Sequence, residues 1–272
     1  MLTIMAKKFN ESKISRAIVG RYYEKLTEHI DSDVLIVGAG PAGLTAGLTL
    51  ARDGRKVTVF ERNLAPGGGI WGGGMGMNEV VLQDEALPVL DDLKVRYQRR
   101  REGLYSVDAV ELAAGLCYHA LQAGVVLLNL VTLEDVCVHQ ERVVGVVVNR
   151  TGISGRYHVD PLTFSAPAVL DATGHEAIVV QTLRRRGYFR DTPVERALEG
   201  PMDAAAGEEF VVEKAGEVYP GLFVAGMSVC AAFGGPRMGP IFGGMLLSGK
   251  RVAQLIADAL RTEPVRPNAI PV

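Results

Sequence analysis

Hydrophobic residues recur along the chain with two different spacings, and each spacing predicts a different kind of element. Over residues 11–30 they recur at helical spacing with charged residues between them, which predicts an amphipathic leading helix. Elsewhere they form short uninterrupted runs, which are typical of parallel strands buried on both faces. These predicted strands cover residues 33–37, 56–60, 168–174 and 221–226.

Further helices and a small sheet are predicted between these strands. The helices are expected over residues 41–53, 83–94, 108–123 and 241–260. Residues 125–149 alternate in short Val- and Leu-rich runs broken by charged turns, which predicts a small antiparallel sheet. Residues 33–60 form a βαβ unit with an expected right-handed crossover. The predicted fold class is therefore α/β, with a doubly wound, Rossmann-like dinucleotide-binding core.

This organisation predicts a single domain interrupted by an insertion. The dinucleotide-binding core is formed by residues 33–74 and 165–260, and residues 75–164 form an inserted mixed α/β lobe that we expect to contact substrate. Residues 1–32 contain the leading helix. Residues 261–272 contain several prolines and are expected to form a loose tail.

Composition and charge exclude several classes of protein. The chain has 272 residues, of which 48% are hydrophobic and 22% charged, as in ordinary globular domains. Its net charge of −2 offers no basic surface for nucleic acid. No apolar run reaches the roughly 18 residues of a membrane span, and we expect no signal peptide. The three cysteines are far apart and odd in number, so we expect no disulfides and a cytoplasmic location.

The residues after the first predicted strand match the fingerprint of dinucleotide-binding proteins. Gly38, Gly40 and Gly43 have the GxGxxG spacing and stand where a strand ends and a helix begins. They allow, in turn, a tight turn, close approach of a pyrophosphate to the backbone, and packing of helix on strand. Glu61 ends the next strand, where a carboxylate binds ribose hydroxyls. This pattern predicts dinucleotide binding, and the alternative is a glycine turn without a ligand.

More than half of the 32 glycines fall in three short stretches, and the fingerprint lies in the first, 38–47. The second, 67–76, surrounds Trp71 and contains too much glycine for a regular helix or strand. Since a tryptophan does not suit a solvated linker, we interpret it as a site loop. The third, 234–249, carries Arg237, whose planar guanidinium suits a carboxylate or phosphate. A surface arginine without a ligand is the alternative.

His158, Asp160 and His175 are candidate ligands of a metal ion. In an extended segment His158 and Asp160 point to the same side, and His175 follows a core strand at the edge where such sheets bind ligands. One carboxylate and one or two imidazoles can hold a divalent cation of the iron type. Spacing alone leaves the alternative of structural histidines open.

Three strand-to-glycine motifs, in the segments GAGPAG, LDATG and GLFVAG, resemble the two-dinucleotide-binding flavoprotein fold. In such flavoproteins the last strand usually runs into Gly-Asp, and that carboxylate holds the ribityl chain of the flavin. Met227 occupies this position here, and a thioether cannot replace a carboxylate. A flavin-dependent oxidoreductase is therefore an alternative function, and the absence of a carboxylate at position 227 argues against it.

A longer series of motifs carries a closer family resemblance. In order along residues 12–260 the chain contains GAGPAGLTAG, FER, PGGGIWGGGM, the HVDP segment, DATGH, GLFVAGM and GPRMGPIFGGMLLSGK. This series resembles the Thi4 thiamine thiazole synthases, especially their archaeal and bacterial members. That family converts NAD, glycine and a sulfur source into the ADP-linked thiazole carboxylate precursor of thiamine. Some archaeal members have been labelled ribose-1,5-bisphosphate isomerases, so a sugar-phosphate isomerase is a second alternative.

The resemblance also implies roles for individual residues. Asp160 and His175 match the iron ligands of the family, and Arg237 matches the residue that binds the carboxylate of glycine. The positions that match contacts to NAD are Ala42, Glu61, Arg62, Gly69, His158, Val159, Asp160 and Met227. Met227, which is unfavourable for a flavin, is thus the residue expected in this family.

The resemblance further implies where the sulfur comes from. Eukaryotic members have a cysteine in the place of His158 and give up its sulfur, so that each molecule turns over once. Because the chain has His158 there, we expect a multi-turnover transferase that uses Fe(II) and free sulfide, with His158 as a candidate proton shuttle. Family members form octamers, so a homo-octamer is expected. Cobalt or manganese would accept similar ligands.

Overall fold

The computed structural model describes residues 10–101 and 103–262. Within these ranges the strands are β1 Val34–Val37, β2 Val57–Glu61, β3 Glu79–Gln83, β4 Gln98–Arg101, β5 Leu104–Asp108, β6 Val126–Asn129, β7 Val131–His139, β8 Arg142–Arg150, β9 Leu162–Ser165, β10 Ala168–Asp171, β11 Gly216–Tyr219 and β12 Leu222–Val224. The helices are α1 Glu11–His29, α2 Pro41–Arg52, α3 Leu87–Leu93, α4 Ala109–Gln122, α5 Ile178–Arg185, α6 Ala204–Glu213, α7 Met227–Phe233 and α8 Gly243–Thr262. Short 3₁₀ turns cover Gly68–Gly72, Gly74–Gly76, Asp84–Ala86 and Gly174–Glu176.

A six-stranded sheet with the order β11-β12-β10-β1-β2-β6 forms the centre of the fold. Its neighbouring strands are parallel except for β11, which pairs antiparallel with β12 at one edge. Every residue of β1, β2 and β10 is buried, as their position in the middle of a covered sheet requires. The predicted α/β class with a Rossmann-like parallel core is confirmed.

Alternate residues of β1 pack into two separate cores, one on each face of this sheet. Val34 and Ile36 pack with apolar residues of α2, α3, α4 and α8. Leu35 and Val37 pack with residues of α5, α7 and the sheet β7-β8-β9. Because successive side chains of a strand point to opposite faces, β1 contributes to the cores on both sides of the sheet.

Strand β6 corrects one prediction from the sequence. Within residues 125–149 we expected a small antiparallel sheet, and β7 and β8 do pair antiparallel, with β9 added beside β8. β6, however, pairs in parallel with β2 and forms an edge of the central sheet. The preceding helix α4 supplies the crossover that parallel pairing requires, and a short apolar run does not specify which strand it will join.

Most helices lie at their predicted positions, with differences at the ends. α1 begins after Asn10, whose side chain accepts a hydrogen bond from the Lys13 N–H, and none of its residues is buried. The helix expected over residues 83–94 is a 3₁₀ turn followed by α3. α8 extends to Thr262, into the predicted tail, and the rest of that tail lies outside the described residues. None of the described helices is long and apolar enough to cross a membrane.

Close packing of α8 against α2 depends on a glycine. A Cβ atom on Gly249 would lie 2.4 Å from the carbonyl oxygen of Ala42, which real side chains do not tolerate. The absence of a side chain therefore lets α8 approach the first turn of α2. This contact fixes the amino end of α2, which opens onto the site described below.

Candidate functional site

A cavity of about 810 Å³ lies at the carboxyl ends of β1, β2 and β10. In parallel α/β sheets this edge is where ligands bind, because the loops that follow neighbouring strands diverge there. Its volume is within the range of small-molecule sites. The predicted site residues that line it are Gly38, Gly40, Ala42, Glu61, Arg62, Gly69, His175, Met227 and Arg237.

The three fingerprint glycines have distinct structural roles. Gly38 has a φ of +101°, and a Cβ atom there would lie 2.4 Å from the carbonyl oxygen of Ala172. A Cβ atom on Gly43 would lie 2.1 Å from the carbonyl oxygen of Gly38, so the third glycine allows α2 to pack on β1. A Cβ atom on Gly40 would meet no other heavy atom within 4 Å, which leaves open space beside the cavity. The arrangement fits the pyrophosphate of a dinucleotide.

Glu61 is held rigidly at the end of β2. Its side chain is buried, and its Oε2 accepts a hydrogen bond of 3.1 Å from the Ala39 N–H. Its Oε1 accepts hydrogen bonds from the Asn63 backbone N–H at 2.8 Å and from the Asn63 side-chain amide at 2.9 Å. Since Oε2 has a further lone pair, Glu61 can still accept from a hydroxyl of a ribose.

The second glycine stretch, which we interpreted as a site loop, contributes to the lining of the cavity and is more regular than its composition indicates. It forms two 3₁₀ turns, and Gly68, Gly69, Gly73 and Met75 line the cavity. Trp71 is not part of the lining, and its Nε1–H donates to the carbonyl oxygen of Pro66 at 2.6 Å. The Trp71 side chain therefore stabilises the conformation of the loop and does not line the cavity.

Asp171 organises the turn that follows β10. Its carboxylate is completely buried and accepts hydrogen bonds from the N–H and hydroxyl of Thr173 and from the hydroxyl of Ser228. It also accepts from the N–H groups of Val179 and Val180 at the start of α5. Burial raises the pKa of Asp171, and the donated hydrogen bonds oppose that shift. One carboxylate therefore joins β10, α5 and α7.

His175 lies on the 3₁₀ turn that this network supports, and its side chain lines the cavity. Its Nδ1 lies 2.7 Å from Oε1 and 2.9 Å from Oε2 of Glu199. The adjacent Glu176 forms an ion pair with Arg62, and both of these side chains line the cavity. The end of β2 and the turn after β10 are thereby joined.

Arg237 lines the cavity from the loop between α7 and α8. Its backbone pairs with residue Met202: the Arg237 N–H donates to the carbonyl oxygen of Pro201, and the Asp203 N–H donates to the carbonyl oxygen of Arg237. Met227 is buried at the start of α7 and lines the cavity beside Gly226. Both residues therefore reach the cavity from the part of the chain that follows β12.

The segment His158–Asp160 lies outside this lining. It follows β8 in irregular backbone, and all three of its residues are exposed. None of the three lines the cavity. Over residues 10–101 and 103–262, no cluster of three or more His, Cys, Asp or Glu groups could hold a metal ion. Within one chain the cavity thus includes His175 but not Asp160.

Comparison with known proteins places the chain in a family. A sequence model of the Thi4 family matches residues 15–242. The chain belongs to the Thi4 family. The predicted family resemblance is therefore confirmed over most of the sequence.

Similar proteins extend this assignment over nearly the whole chain. The thiamine thiazole synthase of Thermotoga maritima is 51% identical over 253 residues, covering 91% of this chain and 97% of that relative. The thiamine thiazole synthase of Pyrococcus abyssi is 48% identical over 251 residues, covering 92% and 98%. The crystal structure of Thermovibrio ammonificans THI4 superimposes with a TM-score of 0.90 at 44% identity, covering 94% of this chain and 100% of that chain. These relatives support a thiamine thiazole synthase function in thiamine biosynthesis.

Three residues of this Thi4 site were not singled out from the sequence. Asp171 is recognisable in retrospect, because it stands between a buried strand and a glycine turn, where a carboxylate can accept from the start of a helix. Glu176 and Glu199 carry no such signal. Glu176 pairs with Arg62 and Glu199 pairs with His175, and the two members of each pair lie far apart in sequence.

Proposed function

We propose that this Thi4 protein makes the ADP-linked thiazole carboxylate from NAD, glycine and free sulfide, in an Fe(II)-dependent reaction with many turnovers per chain. The observation that carries the proposal is the composition of the cavity. One space brings together the fingerprint glycines, Glu61, Arg62, Met227, Arg237 and His175. These groups could bind a dinucleotide, a carboxylate and a metal ion next to one another.

NAD is the substrate that the lining fits best. Its pyrophosphate would lie against Gly38 and Gly40 at the amino end of α2, where backbone N–H groups and the helix dipole favour negative charge. Glu61 would accept from ribose hydroxyls, and Arg62 lies beside it. Ala42, Gly69 and Met227 add apolar and backbone surface to the same space. We propose that Val159 and its neighbours reach this site only from another copy of the chain.

Glycine would bind through its carboxylate to Arg237. The guanidinium can donate two parallel hydrogen bonds to a carboxylate, and it lies in a lining that includes Met202, Pro240 and Phe242. An apolar surrounding strengthens such a pair because less water competes for it. This binding would orient the amine of glycine for condensation with the opened ribose of NAD.

Iron would be held by His175 together with Asp160. His175 fits this role, because its Nδ1 contacts Glu199 and its Nε2 remains available for a cation. Asp160 is exposed and outside the cavity of its own chain, so we propose that a neighbouring copy in the expected octamer supplies it. When bound, Fe(II) would act as a Lewis acid and a template for sulfide. The ribose freed from NAD would open and isomerise to a ketone before it condenses with glycine. His158 would arrive with Asp160 and could carry protons during this isomerisation.

The chemistry of the cysteines supports free sulfide as the sulfur donor. Burial raises the pKa of Cys117 to about 11 and that of Cys230 to about 12. Burial also raises the pKa of Cys137. All three cysteines are among the described residues, and none lines the cavity. Neutral thiols outside the site are poor sulfur donors, since the thiolate is the nucleophile.

One anaerobic incubation tests this proposal. The purified protein is mixed with NAD, glycine, sulfide and Fe(II), and the products are separated and identified by mass spectrometry. We expect an ADP-linked thiazole carboxylate whose formation requires all four additions. Omission of glycine should stop the reaction before condensation, so that NAD is cleaved but no thiazole forms. No thiazole in the complete mixture would overturn the proposal.

A further inference from the structure

Glu199 contacts the proposed metal ligand His175 but has no role of its own in the proposed chemistry. Its carboxylate contacts His175 Nδ1 through both oxygens, at 2.7 Å and 2.9 Å. The Glu199 side chain is 18% exposed, whereas that of His175 is 59% exposed and lines the cavity. Glu199 is therefore less exposed than the imidazole that it contacts, and it does not itself line the cavity.

The backbone holds Glu199 in this position independently of its side chain. Residues 199–203 form a segment, here called the 199–203 strap, that runs beside the loop carrying Arg237. The Gly200 N–H donates to the carbonyl oxygen of Gly235 at 2.8 Å. The Arg237 N–H donates to the carbonyl oxygen of Pro201 at 3.2 Å, and the Asp203 N–H donates to that of Arg237 at 3.0 Å. Replacing the side chain of Glu199 leaves these bonds in place.

His175 is fixed from its own side as well. Its 3₁₀ turn is tied to α7 because the Gly174 N–H donates to the Ser228 hydroxyl, which also contacts Asp171. The imidazole is thus held between two independently supported segments. Only the Glu199 carboxylate, among the described residues, contacts the ring nitrogen Nδ1.

The chemistry of a carboxylate decides what this contact does. An ionised carboxylate only accepts hydrogen bonds, so a neutral His175 must carry its proton on Nδ1. The lone pair then resides on Nε2. We propose that Glu199 is a positioning residue that fixes the tautomer and orientation of His175, so that Nε2 presents its lone pair to a divalent cation. This inference deepens the proposed function and rests on His175 being a metal ligand.

Two measurements on the full-length protein test the inference. The first is ¹⁵N NMR of the metal-free protein at a pH where the imidazole is neutral, with the His175 signals assigned from the His175→Ala spectrum. The second is anaerobic titration with Co(II) alone. Glu199→Ala and Glu199→Gln are compared with Glu195→Gln, which makes the same change of charge nearby, at a side chain that accepts from the Asp191 N–H.

In the wild type we expect the proton on Nδ1. Glu199→Ala should shift His175 toward the Nε2–H tautomer and weaken Co(II) binding by roughly 10- to 100-fold, as removal of such outer partners does. Glu199→Gln retains an acceptor oxygen, so it should keep the Nδ1–H tautomer and lose only a few-fold in Co(II) affinity. Glu195→Gln should match the wild type in both measurements.

A wild-type His175 with its proton on Nε2 would overturn the inference. This result needs no variant, so the inference can be tested even if Glu199→Ala does not fold. Unchanged Co(II) affinity in a folded Glu199→Ala protein would also overturn it. Failure of the proposed function is a separate result. If no thiazole forms but the tautomer and the Co(II) affinity change as expected, the positioning role stands and the assigned reaction falls.

Discussion

Arg62 and Glu176 form an ion pair that joins the end of β2 to the turn after β10, and both side chains line the cavity. The two side chains are 49% and 53% exposed, so water and salt screen their attraction. The pair therefore contributes little to folding stability. Its position matters more, because it places Arg62 beside the proposed binding site of NAD.

This relationship gives a prediction with two separate readouts. Glu176→Gln should change the free energy of unfolding by less than about 1 kcal/mol in urea titrations. Arg62→Ala should change stability equally little and should weaken NAD binding about 10-fold, measured by calorimetry. A loss of more than about 2 kcal/mol in Glu176→Gln would contradict the weak-pair interpretation, and unchanged NAD affinity in Arg62→Ala would remove Arg62 from the site.

Replacement of Asp171 should be much more damaging than its small change in size indicates. In Asp171→Asn an NH₂ group replaces one acceptor oxygen, so buried donors on Thr173 and Ser228, or those on Val179 and Val180, lose their partner. We expect a loss of roughly 2–5 kcal/mol in the free energy of unfolding, measured by urea titration.

Asp203→Asn is the matched control for this variant. Asp203 is exposed and caps α6 by accepting from the Ala206 N–H at 3.1 Å. Asparagine caps helices about as well as aspartate, so the control should lose less than about 0.5 kcal/mol. Equal effects of the two substitutions would show that the Asp171 network does not hold the turn that carries His175.

The extent to which these features follow from sequence differs between the sheet and the site. The central strands could be predicted, because apolar runs such as Val34–Val37 end in a glycine that a tight turn requires. The parallel pairing of β6 could not, because a strand's partner depends on where the chain returns to the sheet. The local Val/Leu pattern is the same for both outcomes.

Some residues of the site could likewise be predicted from the sequence, and others could not. Glu61, His175 and Arg237 could be placed from motifs, since each directly follows or precedes a predicted element, and all three line one cavity. The position of Glu199 in irregular backbone gave no signal before folding brought it to His175. Exposure of His158–Asp160 was also unpredictable, since an alternating segment is equally compatible with a cavity wall and a surface.

The raised thiol pKa values predict slow modification of the native cysteines. With a pKa of about 11, the fraction of Cys117 present as thiolate at pH 8 is about one in a thousand. Alkylation of Cys117 by iodoacetamide should therefore rise roughly tenfold per pH unit up to about pH 10. In urea, where burial is lost, the rate should level off above the ordinary pKa of about 8.5. A native-state plateau near pH 8 would contradict the buried-thiol account.

His158→Ala should separate folding from chemistry. Because His158 is exposed and outside the cavity of its own chain, its removal should leave the fold of that chain intact, and the far-UV circular dichroism spectrum should match that of the wild type. If it carries protons, sulfide-dependent turnover should fall by roughly 100-fold, the lower end of general acid–base effects. Full turnover by the variant in a steady-state assay would exclude the proton-shuttle role.

The most direct test of the account is the number of thiazole molecules made per chain with sulfide as the only added sulfur source. The variant in which Cys117, Cys137 and Cys230 are all replaced by alanine is assayed beside the wild type, and the intact mass of each protein is measured before and after the reaction. If free sulfide is the sulfur donor, both proteins make many products per chain and keep their masses unchanged. A yield that stops at one product per chain, with loss of sulfur from the wild-type protein, would contradict this account.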